Sequence, residues 1–273
     1  MHNLVNCALR AALACGFCVA LAVGSGAKAD SKFSGKVGIS HNTHFISYGA
    51  DVWGGGKEFF GDRSTTFFNA GLTMAATENL SFNIGTWADI NNNTADSLGG
   101  DIQEVDYWGG VSYKFGPAVA GLTYQRWNYA SDVEEIVDVN VGFDDSAYLG
   151  KFALNPGLIW HIRTSGNNAQ ETGSAIVVSI APRVEFLEKK LSLTFPAGVA
   201  FFTTDDFQGG DESGYAYSYL GASLGVPISF IPAAYGSWAL NFDVTGYFTE
   251  SDAIPNNPEE NFATGSVGLT LSF

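Results

Sequence analysis

Past residue 29 the chain has no cysteine. Cys7, Cys15 and Cys18 all lie in the leading segment, which excludes thiol catalysis, disulfides and cysteine metal sites from everything that follows. No later stretch holds 18 consecutive apolar residues, so no transmembrane helix is encoded there. Basic residues are scarce, with 13 Lys and Arg against 28 Asp and Glu. Such a balance lacks the positive surface that nucleic acid requires. Neither a His-Glu-x-x-His motif nor a P-loop occurs.

The leader has one early positive charge, Arg10, then an apolar stretch over Ala11–Val23 and the small-x-small sequence Ala27-Lys28-Ala29. This order predicts a signal peptide over 1–29 and a mature chain over 30–273. An uncleaved anchor would need a longer apolar stretch. A lipoprotein would need more apolar sequence before Cys15, and Phe17 disfavours Cys18. Removing Arg10 and Lys28 leaves 11 basic residues against 28 acids, a formal charge of −17.

What is abundant is glycine and aromatic side chains: 33 Gly, 21 Phe, 11 Tyr and 6 Trp. They fall in segments that alternate with period two. Near the C-terminus, Val267, Leu269, Leu271 and Phe273 share one face, and Thr264, Ser266, Gly268, Thr270 and Ser272 share the other. Trp238, Leu240, Phe242, Val244 and Phe248 oppose Ala239, Asn241, Asp243, Thr245 and Tyr247 in the same way. A helix, with period 3.6, would scatter both sets around its axis. Strands are predicted near 35–47, 63–76, 79–90, 102–115, 118–130, 133–143, 151–164, 172–187, 190–204, 214–230, 235–249 and 262–273, with 144–151 the least defined junction.

The connections alternate in length. Tyr48–Asp62, Asn91–Asp101, Asp205–Ser213 and Glu250–Asn261 are long and rich in Gly, Asn and Asp. Thr77-Glu78-Asn79, Gly116-Pro117, Glu188-Lys189 and Pro232 to Gly236 are short. Outer-membrane barrels have long external loops and short periplasmic turns. The predicted fold class is therefore all-β: a transmembrane antiparallel up-and-down β-barrel of about 12 strands (10–14) in the cell outer membrane. A soluble sandwich or lipocalin-like barrel also alternates. Its solvent face would carry more Lys and Glu than the Gly, Ser, Thr, Asn and Tyr found here.

Phe273 closes the last alternating strand, which resembles the C-terminal signature by which outer-membrane proteins engage their assembly machinery. Five short stretches carry a wider resemblance. They are Phe45-Ile46-Ser47-Tyr48-Gly49, Asp51-Val52-Trp53-Gly54, Gly85-Thr86-Trp87-Ala88-Asp89, Glu104-Val105-Asp106-Tyr107-Trp108-Gly109-Gly110 and Gly121-Leu122-Thr123-Tyr124. In them the chain resembles the uncharacterised TorF-like porins of proteobacteria, although 45–49 lacks that group's Arg-Gly. The resemblance implies an outer-membrane barrel and brings no catalytic residues and no cofactor.

If the apolar face meets lipid and lipopolysaccharide, the other face lines a lumen. Its charged members are Asp89, Glu104, Asp106, Lys114, Asp138, Arg163, Arg183, Glu185 and Asp243. The excess of acids predicts passage of cations or basic solutes, if the lumen conducts. Salt bridges among the same residues would instead plug it. The acidic loops, with Asp205, Asp206, Asp211 and Glu212 in one and Glu250, Asp252, Glu259 and Glu260 in another, lack the spacing of a calcium loop. His41 and His44, three apart on one predicted strand, would face opposite sides, and His161 sits beside Arg163 with no visible nucleophile. Trp53, Tyr107, Trp127, Tyr129, Tyr235 and Trp238, near strand ends, are expected in the interfacial girdle. A porin-like channel is the first reading. A non-conducting structural or adhesive barrel is the second, and an outer-membrane hydrolase the third.

Overall fold

The alternating segments pair into twelve antiparallel strands that close on themselves. The computed structural model describes residues 32–94, 96–130, 132–166, 172–187 and 191–273. The leader with its three cysteines and the turn at Glu188-Lys189 lie outside the described residues. The strands are β1 (Phe33–Asn42), β2 (Thr65–Ala75), β3 (Leu80–Ile90), β4 (Ile102–Phe115), β5 (Ala118–Tyr129), β6 (Asp132–Phe143) and β7 (Gly157–Ser165). β8 runs over Gly173–Ile180 and Arg183–Phe186, and β9 over Leu191–Thr194 and Ala197–Phe202. β10 (Gly214–Pro227), β11 (Ser237–Thr249) and β12 (Asn261–Ser272) complete the ring.

Neighbours in sequence are neighbours in the sheet, and β1 closes the ring against β12 with Lys36 opposite Ser272 and Asn42 opposite Ser266. Closure gives backbone donors and acceptors partners within the sheet, as a hydrocarbon environment demands. β8 and β9 are interrupted at Pro182 and Pro196, which cannot donate to the ladder.

The two faces are chemically inverted relative to a soluble protein. Ile39, Ile84, Leu122 and Leu220 point outward and are 50–62% exposed, whereas Asp89, Asp106, His161 and Arg163 are at most 2% exposed. A soluble sandwich would bury the first set. An apolar belt around a polar interior is the signature of a barrel in lipid.

The connection rhythm follows the sequence, with two exceptions. The long connections 43–64, 91–101, 203–213 and 250–260 all lie at one rim, and 76–79, 116–117 and 228–236 at the other. The β5–β6 connection is short although it lies at the long-loop rim, since Tyr129 pairs directly with Asp132. The β6–β7 connection is long although it lies at the short-turn rim, and carries the one-turn helix α1 (Ser146–Leu149) where 144–151 was ill defined. Two strand boundaries differ from expectation. β7 starts at Gly157 rather than near 151, after α1 and a second tight turn, and β1 stops at Asn42 rather than 47. His44 is therefore not on the strand with His41. It lies in the first loop, 4% exposed, and donor or acceptor contacts tie it to Thr43 Oγ1 and the Gly56 carbonyl.

One glycine permits close packing inside the wall. A Cβ at Gly85 would stand 2.0 Å from the Trp108 ring and 2.7 Å from the Ala70 carbonyl oxygen. The backbone oxygen cannot move aside. Gly85→Val should lower the stability of the refolded barrel by about 1–3 kcal/mol, read from its denaturant midpoint.

Candidate functional site: the barrel bore

The first long loop turns into the bore instead of standing above it. Ile46–Ser47 pairs with Ala50–Asp51 across Tyr48-Gly49. Both turn residues have positive φ, 47° at Tyr48 and 82° at Gly49, the arrangement of a type I′ hairpin turn. Glycine is required at 49, because a Cβ there would meet the Tyr217 ring at 2.6 Å and Ile254 at 2.7 Å. Tyrosine at 48 pays a steric cost of about 1–2 kcal/mol. Its surroundings explain why it is tolerated. Tyr48 is 1% exposed, its ring centroid lies 3.9 Å from that of His161, and it also faces Trp127 and Phe207. The hairpin thus touches β5 and β7 on one side and β10 on the other.

Two further long loops hold it there. Gln208 Nε2 donates to the Ser47 carbonyl at 2.8 Å, and Asn257 Nδ2 donates to the Gly49 carbonyl at 2.9 Å. Asp51 N–H donates to Asn257 Oδ1 at 2.7 Å. Phe207, Ala253 and Ile254 from the same loops join Ile46, Tyr48, Tyr217, Tyr219 and Tyr247 in one buried cluster.

Beside the hairpin the wall carries a polar network. His161 Nδ1 faces Asp138 Oδ1 at 2.7 Å and also hydrogen-bonds the Tyr48 hydroxyl. Gln125 Nε2 donates to Asp138 Oδ2 at 2.5 Å, and Trp127 Nε1 donates to Gln125 Oε1. Arg163 Nε donates to Glu134 Oε2 at 2.8 Å, its Nη1 donates to the Phe207 carbonyl at 2.6 Å, and its guanidinium lies 4.2 Å from the Phe207 ring centroid. Asp89 accepts from Trp53, Thr65 and Asn91.

Of the sequence-predicted charges, Asp89, Glu104, Asp106, Asp138 and Arg163 are buried in this long-loop half. Lys114, Arg183, Glu185 and Asp243 sit farther toward the short turns. There Arg183 pairs with Glu185 at 2.8 Å and Asp243 accepts from Ser266 at 2.8 Å. The inward positions around them are small and polar, including Ser112, Asn140, Ser192, Ser223, Asn241 and Thr270.

Sequence reasoning missed Glu134, although it shares the parity of Asp138, missed Phe207, and gave Tyr48 no inward role. It also misassigned three aromatics. Trp127 is 5% exposed and Tyr129 half-buried, both on the inward parity of β5, and Trp53 is a loop residue bonded to Asp89. Gly221-Ala222-Ser223-Leu224-Gly225 has the Gly-x-Ser-x-Gly spacing of a hydrolase nucleophile. Ser223 lies mid-strand opposite Asp243 and Thr194, without the strand-to-helix turn that presents a nucleophile. Among the described residues no group of three His, Asp or Glu is arranged to hold a metal ion.

Fold and faces define a class: this is a β-barrel of the outer membrane. An outer-membrane channel from Pseudomonas putida F1 superposes with a TM-score of 0.56 at 11% identity, covering 92% of this chain and 98% of that one. The translocator domain of the autotransporter NalP from Neisseria meningitidis matches with a TM-score of 0.47 at 12% identity, over 89% of each chain. Phospholipase A from the Escherichia coli outer membrane matches with a TM-score of 0.43 at 7% identity, over 87% of this chain and 92% of that one. No protein-family model matches the chain, and no curated protein sequence does.

Proposed function

We propose that the protein is a porin-like channel of the outer membrane, narrowed at its outer end by the inward hairpin, for passive passage of small solutes. The observation that carries this reading is the asymmetry of the bore. Its short-turn half is lined by Ser, Thr, Asn and Gly, side chains that tolerate water and fill little space, with Lys114, Asp243 and the Arg183–Glu185 pair among them. Its long-loop half is filled by three loops packed against the wall side chains. The fold shared with the Pseudomonas putida channel and the sequence resemblance to TorF-like porins support the same reading. The inward acids favour cations. The terminal Phe273, whose backbone pairs with Gly35, is the proposed recognition element for barrel assembly.

Refolded protein in a planar bilayer should give discrete conductance steps. A salt gradient should give a reversal potential on the cation-selective side. Silence under all voltages would remove the channel reading and favour a structural or adhesive barrel. Anion selectivity would remove the role given to the acids.

A further inference from the structure

The strand registers bring together three side chains that sequence distance keeps apart. Trp87 on β3 lies opposite Asp106 on β4, and Asp106 lies opposite Trp127 on β5. All three face inward, at 6%, 1% and 5% exposure. A carboxylate is thus flanked at one level of the bore by two indoles. Glu104, two residues along the same face of β4, lies opposite Asp89.

Asp106 Oδ1 is buried and accepts no hydrogen bond from a protein group among the described residues. A buried carboxylate oxygen without a donor is expensive, and native proteins rarely keep one without a use. Among the described residues no Lys or Arg pairs with Asp89, Glu104 or Asp106. The aromatic surface beside the carboxylate is covered by the hairpin instead. Phe45 packs on Trp87 with ring centroids 5.2 Å apart, and Tyr48 faces Trp127 at 6.5 Å. The chain's own guanidinium shows the matching chemistry nearby, where Arg163 is held between the Glu134 carboxylate and the Phe207 ring.

We infer that Trp87, Asp106 and Trp127 form a binding site for an organic cation of the methylated ammonium class, exposed when the hairpin withdraws. The inference rests on the channel reading for the solute's route, and it names the class of solute. The carboxylates supply the countercharge, and the indole faces attract a cation whose charge is spread over methyl groups. A hydrated alkali ion keeps its water and gains little from indole. An anion is repelled by three carboxyl groups.

The test uses choline chloride as probe and sodium chloride at equal ionic strength as control, on the full barrel in detergent. Tryptophan fluorescence and calorimetry are read for the natural chain and for a variant with residues 45–51 replaced by a short Gly-Ser link. Saturable choline binding to either, absent with sodium, is the expected result. Asp106→Asn, which preserves shape, should weaken it by about tenfold or more. Equal responses to choline and sodium, or an unchanged affinity in Asp106→Asn, would overturn the site. Failure of the channel reading looks different: choline binds and Asp106→Asn weakens it, yet the bilayer stays silent. Conductance steps without choline binding to either protein would sink the site and leave the channel reading standing.

Discussion

Replacing residues 45–51 by a short Gly-Ser link is expected to raise single-channel conductance several-fold while leaving the barrel folded. The two outcomes separate because the hairpin and the wall are held by different forces. The wall is a closed ladder in which β1 is bonded to β2 and β12, and none of residues 45–51 belongs to it. The hairpin is held by ring contacts of Tyr48 and by side-chain amides of Gln208 and Asn257 on its backbone. Shortening a flexible connection changes closure entropy only slowly with length, by about 0.6 kcal/mol per doubling. What the deletion takes away is the material that crosses the bore between β7 and β10. A smaller change probes the same point. Tyr48→Gly relieves the positive φ and empties the space between Trp127, His161 and Phe207, so conductance should rise with larger fluctuations. Unchanged conductance in both variants would mean that the stop lies elsewhere in the bore.

The barrel was legible because lipid imposes a rule that a single strand must obey by itself. Each residue faces either hydrocarbon or the interior, and the alternation of Leu240, Phe242 and Val244 with Asn241 and Asp243 records this without reference to any other strand. The inward fold of the first loop left a weaker trace. Ile46 to Asp51 has the form of a two-residue hairpin with Gly at its second turn position. Nothing local says that such a hairpin points into a bore rather than out of it, because that depends on Asn257 and Gln208, about two hundred and a hundred and sixty residues away. Trp127 and Tyr129 were assigned by nearness to a strand end, and parity was the better guide. They alternate with Arg126 and Asn128, which lie on the outward side of β5, and so they face inward. The same parity on β6 joins Glu134 to Asp138.

Arg163→Ala should release the loop that carries Phe207 and lower barrel stability by about 3–5 kcal/mol, the usual cost of leaving one partner of a buried ion pair alone. Arg163 and Glu134 side chains are 1% and 3% exposed, and their contact bridges β7 to β6 inside the wall. The guanidinium also bonds the Phe207 carbonyl and underlies its ring, so it is the tie between wall and loop. Two measurements distinguish these roles. Thermal or denaturant unfolding of Arg163→Ala reports the stranded Glu134 carboxylate. Protease cleavage within 203–213 reports the loop. The double variant Arg163→Met with Glu134→Leu removes both charges and fills the space with apolar atoms, so stability should recover, since such replacements are often neutral. The Phe207 carbonyl still lacks its donor in that variant, so cleavage of the loop should persist. Persistent instability of the double variant would instead show that the pair supports the wall through its hydrogen bonds, and that the neighbouring Tyr129 hydroxyl bond to Glu134 belongs to the same support. Because Phe207 also packs on Tyr48, a loosened 203–213 loop should loosen the hairpin as well. Conductance of Arg163→Ala should therefore move in the same direction as that of the hairpin deletion, and by less.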